Sequence, residues 1–439
     1  MKMMKIYFSF KNGLDLLLCY GMLRFPLEQL QQRGLIYQVS NPQKLSELLG
    51  GSPIAFYWGT DVTAKSFHLG HLVSFNLIRF LQKAGLKPII LLGGGTTLIG
   101  DPSGREKSRP ILAEQEIVEN TKSLKEQLSR FVRFDQSDKF IQPATIVNNS
   151  DWLGKLDLMR GYLREFAPFF NVNEMISWET WKNRLKNNEG ISLMEFVYNT
   201  LQAIDFYFLN QNYGCVMQMG GSDQWLNLLS GVELLRKKSA VEVVAVSTPL
   251  LLDSQARKMG KTGEGKTAWL DENLFSSYEM YQYLRNRLDD EVETMLKLLT
   301  PLELSEISEI MKQNPVVCLE RLAFEITALV HGVEKATQAE SDSKAAFGGQ
   351  PKKATLIPTI KVNQETFRNG KVNLIDLLVE NKVVPSKSEV RRLIESSGIR
   401  LNQKTANLES VDIRESNFKD DQAIIEIGKR KVVKILLVS

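Results

Sequence analysis

Pro53-Ile54-Ala55-Phe56-Tyr57-Trp58-Gly59-Thr60-Asp61-Val62-Thr63-Ala64-Lys65-Ser66-Phe67-His68-Leu69-Gly70-His71 opens as an apolar run of strand character and turns polar and turn-rich from Gly59 to Ser66. Leu69, Leu72, Val73, Leu77, Phe80, Leu81 and Ala84 then recur at helical spacing. Gly85 ends that helix and Pro88 keeps it from resuming. Ile89-Ile90-Leu91-Leu92 is a second buried strand, running into Gly93-Gly94-Gly95. Strand, loop, helix and strand in that order make the βαβ unit of a parallel α/β sheet. Ligands of such sheets sit beyond the C-terminal ends of the strands, where these loops lie.

Outward from this unit, residues 111–210 read mainly as helices, with the clearest periods at Ile117–Phe131 and Leu193–Leu209. Cys215-Val216-Met217-Gln218-Met219 reads as a buried strand ending in Gly220-Gly221, and Val241–Val246 as another. Residues 270–335 are helical. Residues 337–353 are small and polar and read as a linker. Beyond them lies a last domain. Ser386-Lys387-Ser388-Glu389 has the form of a capping box and predicts a helix carrying Lys387, Arg391 and Arg392, with Gly398 as its cap. Ile399–Asn402, Ile424–Ile427 and Val432–Val438 read as strands. The expected division is an extension over 1–22, a catalytic domain over 23–250 with the helical insertion, a loop and helical domain over 251–336, and a basic domain over 354–439.

The chain has 439 residues, 43% hydrophobic and 24% charged, which suits two or three folded domains and argues against wholesale disorder. No apolar run approaches the length of a membrane helix. Three dispersed cysteines, Cys19, Cys215 and Cys318, exclude a disulfide framework and fit a reducing, cytoplasmic compartment. Net charge is +4 overall, but residues 351–439 alone carry +6. A basic appended domain points to a polyanion such as nucleic acid, with a solvated basic surface as the plainer reading. The first residues mimic a secretory signal, yet Asp15 interrupts the short apolar stretch and no small-residue cleavage site follows. Met22 is a candidate true start, and an organellar presequence stays open.

Two of the three histidines fall in His68-Leu69-Gly70-His71, at the start of the helix after the first strand. Imidazoles one turn apart share a face, and a helix N-terminus suits phosphate. Gly70 removes a side chain where a ligand must come close. Zinc is the competing reading, but it needs three or four ligands and the pattern supplies no further Cys or Glu. Some 190 residues later Lys258-Met259-Gly260-Lys261-Thr262 places two lysines around a glycine, able to close over a polyphosphate.

The two motifs in this order resemble the signatures of class I aminoacyl-tRNA synthetases. Several segments narrow the resemblance to the bacterial-type tyrosyl-tRNA synthetase family. They are Tyr57-x-Gly59-x-Asp61-x-Thr63-Ala64-x-Ser66-x-His68, Leu98-Ile99-Gly100-Asp101-Pro102-Ser103-Gly104, Tyr198-x3-Gln202-x2-Asp205-Phe206 and Gly220-Gly221-Ser222-Asp223-Gln224-Trp225. The resemblance runs from about residue 23 to the C-terminus. It implies a Rossmann-like α/β catalytic domain with a helical insertion, then a helical domain and a small α+β S4-like RNA-binding domain. It further implies L-tyrosine, Mg-ATP and tRNA(Tyr) as substrates, a homodimer, no tightly bound cofactor and no membrane.

By this resemblance Tyr57 and Asp205 tell tyrosine from phenylalanine by its hydroxyl, since phenylalanine would leave both unsatisfied. Asp101, Tyr198 and Gln202 match positions that hold the ammonium group. Gly59, Asp61, Gly70, Gly221, Asp223 and Gln224 match positions around the adenosine and the reacting carboxylate. Thr63, His68, His71, Arg105, Arg109, Lys258, Lys261 and Thr262 match groups around the triphosphate. Val62, Ser150 and Leu226 depart from the common pattern without removing any of these groups. A tryptophanyl-tRNA synthetase would share fold and chemistry, but the Tyr57/Asp205 pair and the S4-like tail argue against it. An RNA-binding protein that keeps this fold without aminoacylating is the alternative from another class.

Overall fold

The computed structural model of the chain describes residues 27–102, 112–136, 141–188, 190–254, 258–259, 266–347, 357–363, 371–381, 383–408, 411–419, 421–428 and 431–438. The expected extension over 1–22 lies outside the described residues.

The first half runs α1 (Leu27–Gln32), β1 (Gln38–Val39), α2 (Pro42–Gly50), β2 (Ala55–Thr60), α3 (His71–Lys83), β3 (Lys87–Leu92), α4 (Gly94–Thr97), α5 (Glu114–Leu128), β4 (Thr145–Asn148) and α6 (Ser150–Leu153). A π-helical stretch over Leu158–Phe166 follows, then α7 (Val172–Ile176), α8 (Glu179–Lys186), α9 (Leu193–Tyr213), β5 (Cys215–Gly221), α10 (Trp225–Ser239) and β6 (Val244–Thr248). The six strands form one sheet in the order β1-β6-β5-β2-β3-β4, parallel except for the edge pair β1 and β6. Residues of β2 alternate between its faces. Phe56 and Trp58 join the core around α3, while Tyr57 joins the one around Phe206 and Leu209 of α9. Burial on both faces explains the unbroken apolar runs of β2 and β3. Gly85, with φ +89°, closes α3 as expected.

Two parts of the secondary structure differ from expectation. Residues 111–210 are interrupted by β4, a four-residue edge strand paired to β3. It is too short and too half-buried to show an apolar run. Residues 337–347 are no linker, but the body of a helix. Ala336, Ala339, Asp342, Ser343 and Ala346 are buried there, so the small residues mark close helix packing rather than chain flexibility. Residues 348–353 of the expected linker lie outside the described residues.

The helical domain comprises α11 (Ser277–Arg285), α12 (Asp289–Leu299), α13 (Leu304–Met311), α14 (Pro315–His331) and α15 (Val333–Phe347). It is tied to the sheet domain by a buried arginine. Arg33 donates to the carbonyls of Lys297, Thr300 and Leu302, and lies over the Phe80 ring at 4.3 Å. Asn76 adds bonds to the Leu298 and Thr300 carbonyls, both 3.0 Å. These acceptors include the orphan carbonyls at the end of α12, which need donors once buried.

The last domain contains β7 (Thr359–Asn363), β8 (Val372–Asn373), α16 (Leu374–Glu380), α17 (Lys387–Glu395), β9 (Ile399–Leu401), β10 (Lys404–Thr405), β11 (Asp412–Ile413), β12 (Gln422–Ile427) and β13 (Lys431–Val438). Its main sheet runs β10-β9-β12-β13-β7 around a separate apolar core. Ser386 caps α17 by accepting from the Glu389 amide at 3.3 Å. The left-handed residue after the helix is Ser397, φ +56°, not the expected Gly398.

Candidate functional site

The sheet order reverses between β2 and β5, because the chain leaves β2 toward β3 and β4 on one side and β5 leads to β6 on the other. A crevice opens at the carboxyl ends of two strands that part in this way. A cavity of about 810 Å³ occupies it. It is lined by Tyr57, Gly59, Asp61, Thr63, His68, Gly70, His71, Asp101, Tyr198, Gln202, Asp205, Gly221, Asp223, Gln224 and Lys258, so every described candidate residue meets here. Arg105, Arg109, Lys261 and Thr262 lie outside the described residues.

At the inner end stand Tyr57 and Asp205. Asp205 is 2% exposed, on the buried face of α9. Its Oδ1 accepts from Trp152 Nε1 at 2.8 Å and its Oδ2 from Asn149 Nδ2 at 3.0 Å. Burial pushes the carboxyl up to about 7, against the pull of these two bonds. The Tyr57 hydroxyl donates to Gln218 Oε1 at 3.0 Å, and its ring packs against Phe206 with centroids 5.3 Å apart. Burial first, and then Asp205, raise the Tyr57 phenol well above its usual range, so it stays protonated.

The middle of the cavity is a chain of carboxylates and their donors. Asp61 Oδ1 accepts from Thr96 Oγ1 at 2.9 Å and from the Tyr198 hydroxyl at 3.1 Å. Asp101, also buried, accepts from Gln224 Nε2 at 2.6 Å, and Asn227 Nδ2 holds the other end of that amide at 2.9 Å. The loop that carries Asp61 and Thr63 is clamped from α5. Asn120 donates to the Val62 carbonyl, and Gln127 bonds Lys65, Ser66 and Phe67. Val62 itself is fully buried, so this departure from the common pattern fills a core position.

The outer end holds the histidines. Helix α3 starts at His71 with Gly70 as its N-cap. The His68 amide donates to His71 Nδ1 at 3.2 Å, and the Gly70 amide to His68 Nδ1 at 3.1 Å. Amides only donate, so His68 Nδ1 is an acceptor and its Nε2 carries the proton, whereas His71 Nδ1 also faces the His68 carbonyl at 3.3 Å and can serve as either donor or acceptor. Burial lowers His68 to about 4 and His71 well below its usual value, so both rings are neutral donors at neutral pH. A Cβ at Gly70 would lie 3.0 Å from His68 Cε1, so part of the room this glycine leaves is filled by the folded-back His68 ring. A Cβ at Gly59 would meet only ordinary contacts, the nearest at 3.5 Å, so protein packing alone does not require that glycine.

Backbone bonds join the two distant motifs. Leu69 N donates to the Ala268 carbonyl at 2.9 Å, Leu270 N to Phe67 at 2.8 Å, and Met259 N to Leu251 at 2.7 Å. Lys258 Nζ thereby reaches Asp223 Oδ2 at 3.0 Å across the mouth. Sequence reasoning missed Asn149, Trp152, Thr96, Asn227 and Gln218. Only Gln218 left a signal, as an amide in the middle of an otherwise apolar strand.

The chain resembles known proteins over most of its length. Residues 50–348 match the family described as tRNA synthetases class I (W and Y). Residues 354–435 match the tyrosine–tRNA ligase SYY-like C-terminal domain. The chain is 41% identical over 416 residues to tyrosine–tRNA ligase of Acetivibrio thermocellus, covering 94% of this chain and 99% of that protein. It is 39% identical over 411 residues to the enzyme of the same name from Clostridium tetani, covering 93% and 98%. Among solved structures it is similar to a C-terminally truncated mitochondrial tyrosyl-tRNA synthetase of Aspergillus nidulans. That match has 31% identity and a TM-score of 0.65, over 73% of this chain and 93% of the other.

The raised Asp205 carboxyl has a measurable consequence. Its folded value of about 7 exceeds the unconstrained 3.8, so its contribution is complete at low pH and is lost as pH rises through about 7. In denaturant titrations, the stability of the protein relative to its Asp205→Asn variant should fall by about 3 kcal/mol between roughly pH 5 and 8. A pH-independent difference would mean that Asp205 ionises freely within the fold.

Proposed function

The chain belongs to the tyrosine–tRNA ligase family of the class I tRNA synthetases, and from that premise we propose which of its groups carry the reaction. The enzyme activates L-tyrosine with ATP to tyrosyl-adenylate and pyrophosphate, then transfers tyrosine to the 3′ end of tRNA(Tyr). The observation that carries the site assignment is one cavity with a buried hydroxyl and carboxylate, Tyr57 and Asp205, at its inner end and two neutral histidines at its mouth.

The tyrosine ring enters toward Tyr57 and Asp205, which meet its hydroxyl. Asp101, Tyr198 and Gln202 hold the ammonium group, and Gln224 the carboxylate. Gly59, Asp61, Gly221 and Asp223 receive the adenosine, Lys258 releasing Asp223 as the ribose arrives. A tyrosine carboxylate oxygen then attacks the α-phosphorus, and the bond to the bridging oxygen of pyrophosphate breaks. No protein nucleophile is needed, because the carboxylate is already ionised. The chain contributes position and charge stabilisation. His68 donates through Nε2 and His71 stands next to it, with Thr63 and Lys258 beside them, and Arg105, Arg109, Lys261 and Thr262 complete the set around the triphosphate. Mg2+ enters with the substrate as Mg-ATP. In the second step the terminal ribose hydroxyl of the tRNA attacks the adenylate carbonyl and AMP leaves.

The organisation that fits this reaction is a catalytic domain over 23–250, a helical domain over 251–347 and an RNA-binding domain over 354–439. The last presents exposed Arg391 and Arg392 on α17, with Lys387 at its start. Among the described residues no helix is long and apolar enough to cross a membrane, and we place the protein in the cytoplasm. It works as a homodimer. Leu158, Met159, Leu163, Val172 and Leu193 of the insertion are all exposed apolar side chains that a second copy would cover.

Tyrosine-dependent ATP–pyrophosphate exchange tests the assignment. Exchange should occur with tyrosine and not with tryptophan, and His68→Ala should lower kcat about 100-fold. A folded sample that exchanges with none of tyrosine, tryptophan and phenylalanine would leave an RNA-binding role in first place. Sedimentation should give twice the chain mass, and Leu158→Lys combined with Met159→Lys should give single chains. A wild-type monomer would remove the dimer.

A further inference from the structure

Behind the cavity floor lies a second polar layer. Gln218 on β5 stands in register with Tyr57 on β2 and has no exposed surface. Its Nε2 donates to the Leu228 carbonyl in the first turn of α10. A carbonyl can only accept, so this bond fixes which way the amide points, and Oε1 faces Tyr57. Oε1 likewise only accepts, so the Tyr57 hydroxyl hydrogen lies on the Gln218 side, 3.0 Å from oxygen to oxygen. The arrangement is tightly enclosed. A Cβ at Gly231 would sit 2.9 Å from Gln218 Nε2 and 3.0 Å from Phe206 Cδ1.

Tyr57 therefore has a partner for its hydrogen without any ligand. A ring bearing a hydroxyl competes with Gln218 for that hydrogen. A ring lacking one leaves Tyr57 bonded to Gln218 and strands nothing at that atom. Asp205 is placed differently. Trp152 and Asn149 supply one donor to each oxygen, and a bare ring against the carboxyl would add burial without a further donor. The expectation that phenylalanine leaves both groups unsatisfied thus fails at Tyr57, while at Asp205 the cost is further burial of a carboxyl that gains no donor from the ring.

We propose that Gln218 is a positioning residue that limits specificity: as the alternative acceptor for the Tyr57 hydroxyl, it relieves the penalty a phenylalanine ring would otherwise meet there, leaving recognition of the ring hydroxyl mainly to Asp205. This rests on the reading that Tyr57 and Asp205 face that hydroxyl.

The test is the ratio of kcat/KM for tyrosine over phenylalanine, by ATP–pyrophosphate exchange, in the full-length protein. Gln218→Met removes the acceptor at nearly constant volume, so the buried Tyr57 hydroxyl would find a partner only in a ligand hydroxyl. The ratio should rise about tenfold, with the loss falling on phenylalanine. Damage to the fold would instead depress both substrates. In a Tyr57→Phe background the same substitution should move the ratio less than about twofold, because the coupled partner is gone. Gln218→Glu, whose neutral buried carboxyl offers the same donor and acceptor, should keep the wild-type ratio. Gln218→Asn withdraws the oxygen by one methylene and should shift the ratio upward, which serves if the methionine variant does not fold. A ratio unchanged or lowered in folded Gln218→Met, while Tyr57→Phe still lowers it, overturns the proposal and spares the site assignment. A ratio unmoved by both Tyr57→Phe and Asp205→Asn overturns the site assignment and the proposal with it.

Discussion

The reversal of strand order between β2 and β5 is the constraint on which the rest depends. Two parallel strands whose connections leave in opposite directions must part at their carboxyl ends, and the crevice cannot be filled by either following helix. β2 delivers Tyr57, Gly59 and Asp61 to it, β5 delivers Gly221, and α9 lays Tyr198, Gln202 and Asp205 along one wall. Groups far apart in the chain become neighbours through the sheet, without a long loop having to find its place.

The charges in this crevice are graded from floor to mouth. At the floor the carboxyl is desolvated, and its two fixed donors only partly offset burial. In the middle, Asp61 and Asp101 are each held by neutral donors. At the mouth the histidines are neutral because burial disfavours protonation of both, helped by Lys258 at His68 and by the His68 ring, 4.0 Å away between centroids, at His71. They act by direction rather than charge, and Lys258, partly exposed and bonded to Asp223, supplies the movable cation. A desolvated, recognition-tuned floor and a polar, phosphate-ready mouth suit a substrate whose ring must be read while its carboxylate reacts elsewhere.

The βαβ unit was legible because its strands are buried on both faces and its helix carries a full apolar period. The two signature motifs were legible because their residue types are rare in combination. Other features left no one-dimensional trace. β4 is an edge strand of four residues, so it showed no apolar run, and Asn149 and Trp152 just beyond it were hidden with it. The small residues of α15 matched a linker by composition, yet Ala336, Ala339 and Ser343 are small because neighbouring helices come close. Gln218 was visible as an amide in an apolar strand, but its partner is set by the register with β2, which no local pattern encodes.

Since the floor of the crevice is where the reading of the substrate is decided, a crystal structure of the protein with bound L-tyrosine is the most direct measurement. The expected result places the phenolic oxygen within hydrogen-bond distance of both Asp205 and the Tyr57 hydroxyl, at about 3 Å, with Trp152 and Asn149 still on the carboxylate. A ring turned toward the mouth, or a phenolic oxygen bonded to neither residue, would contradict it.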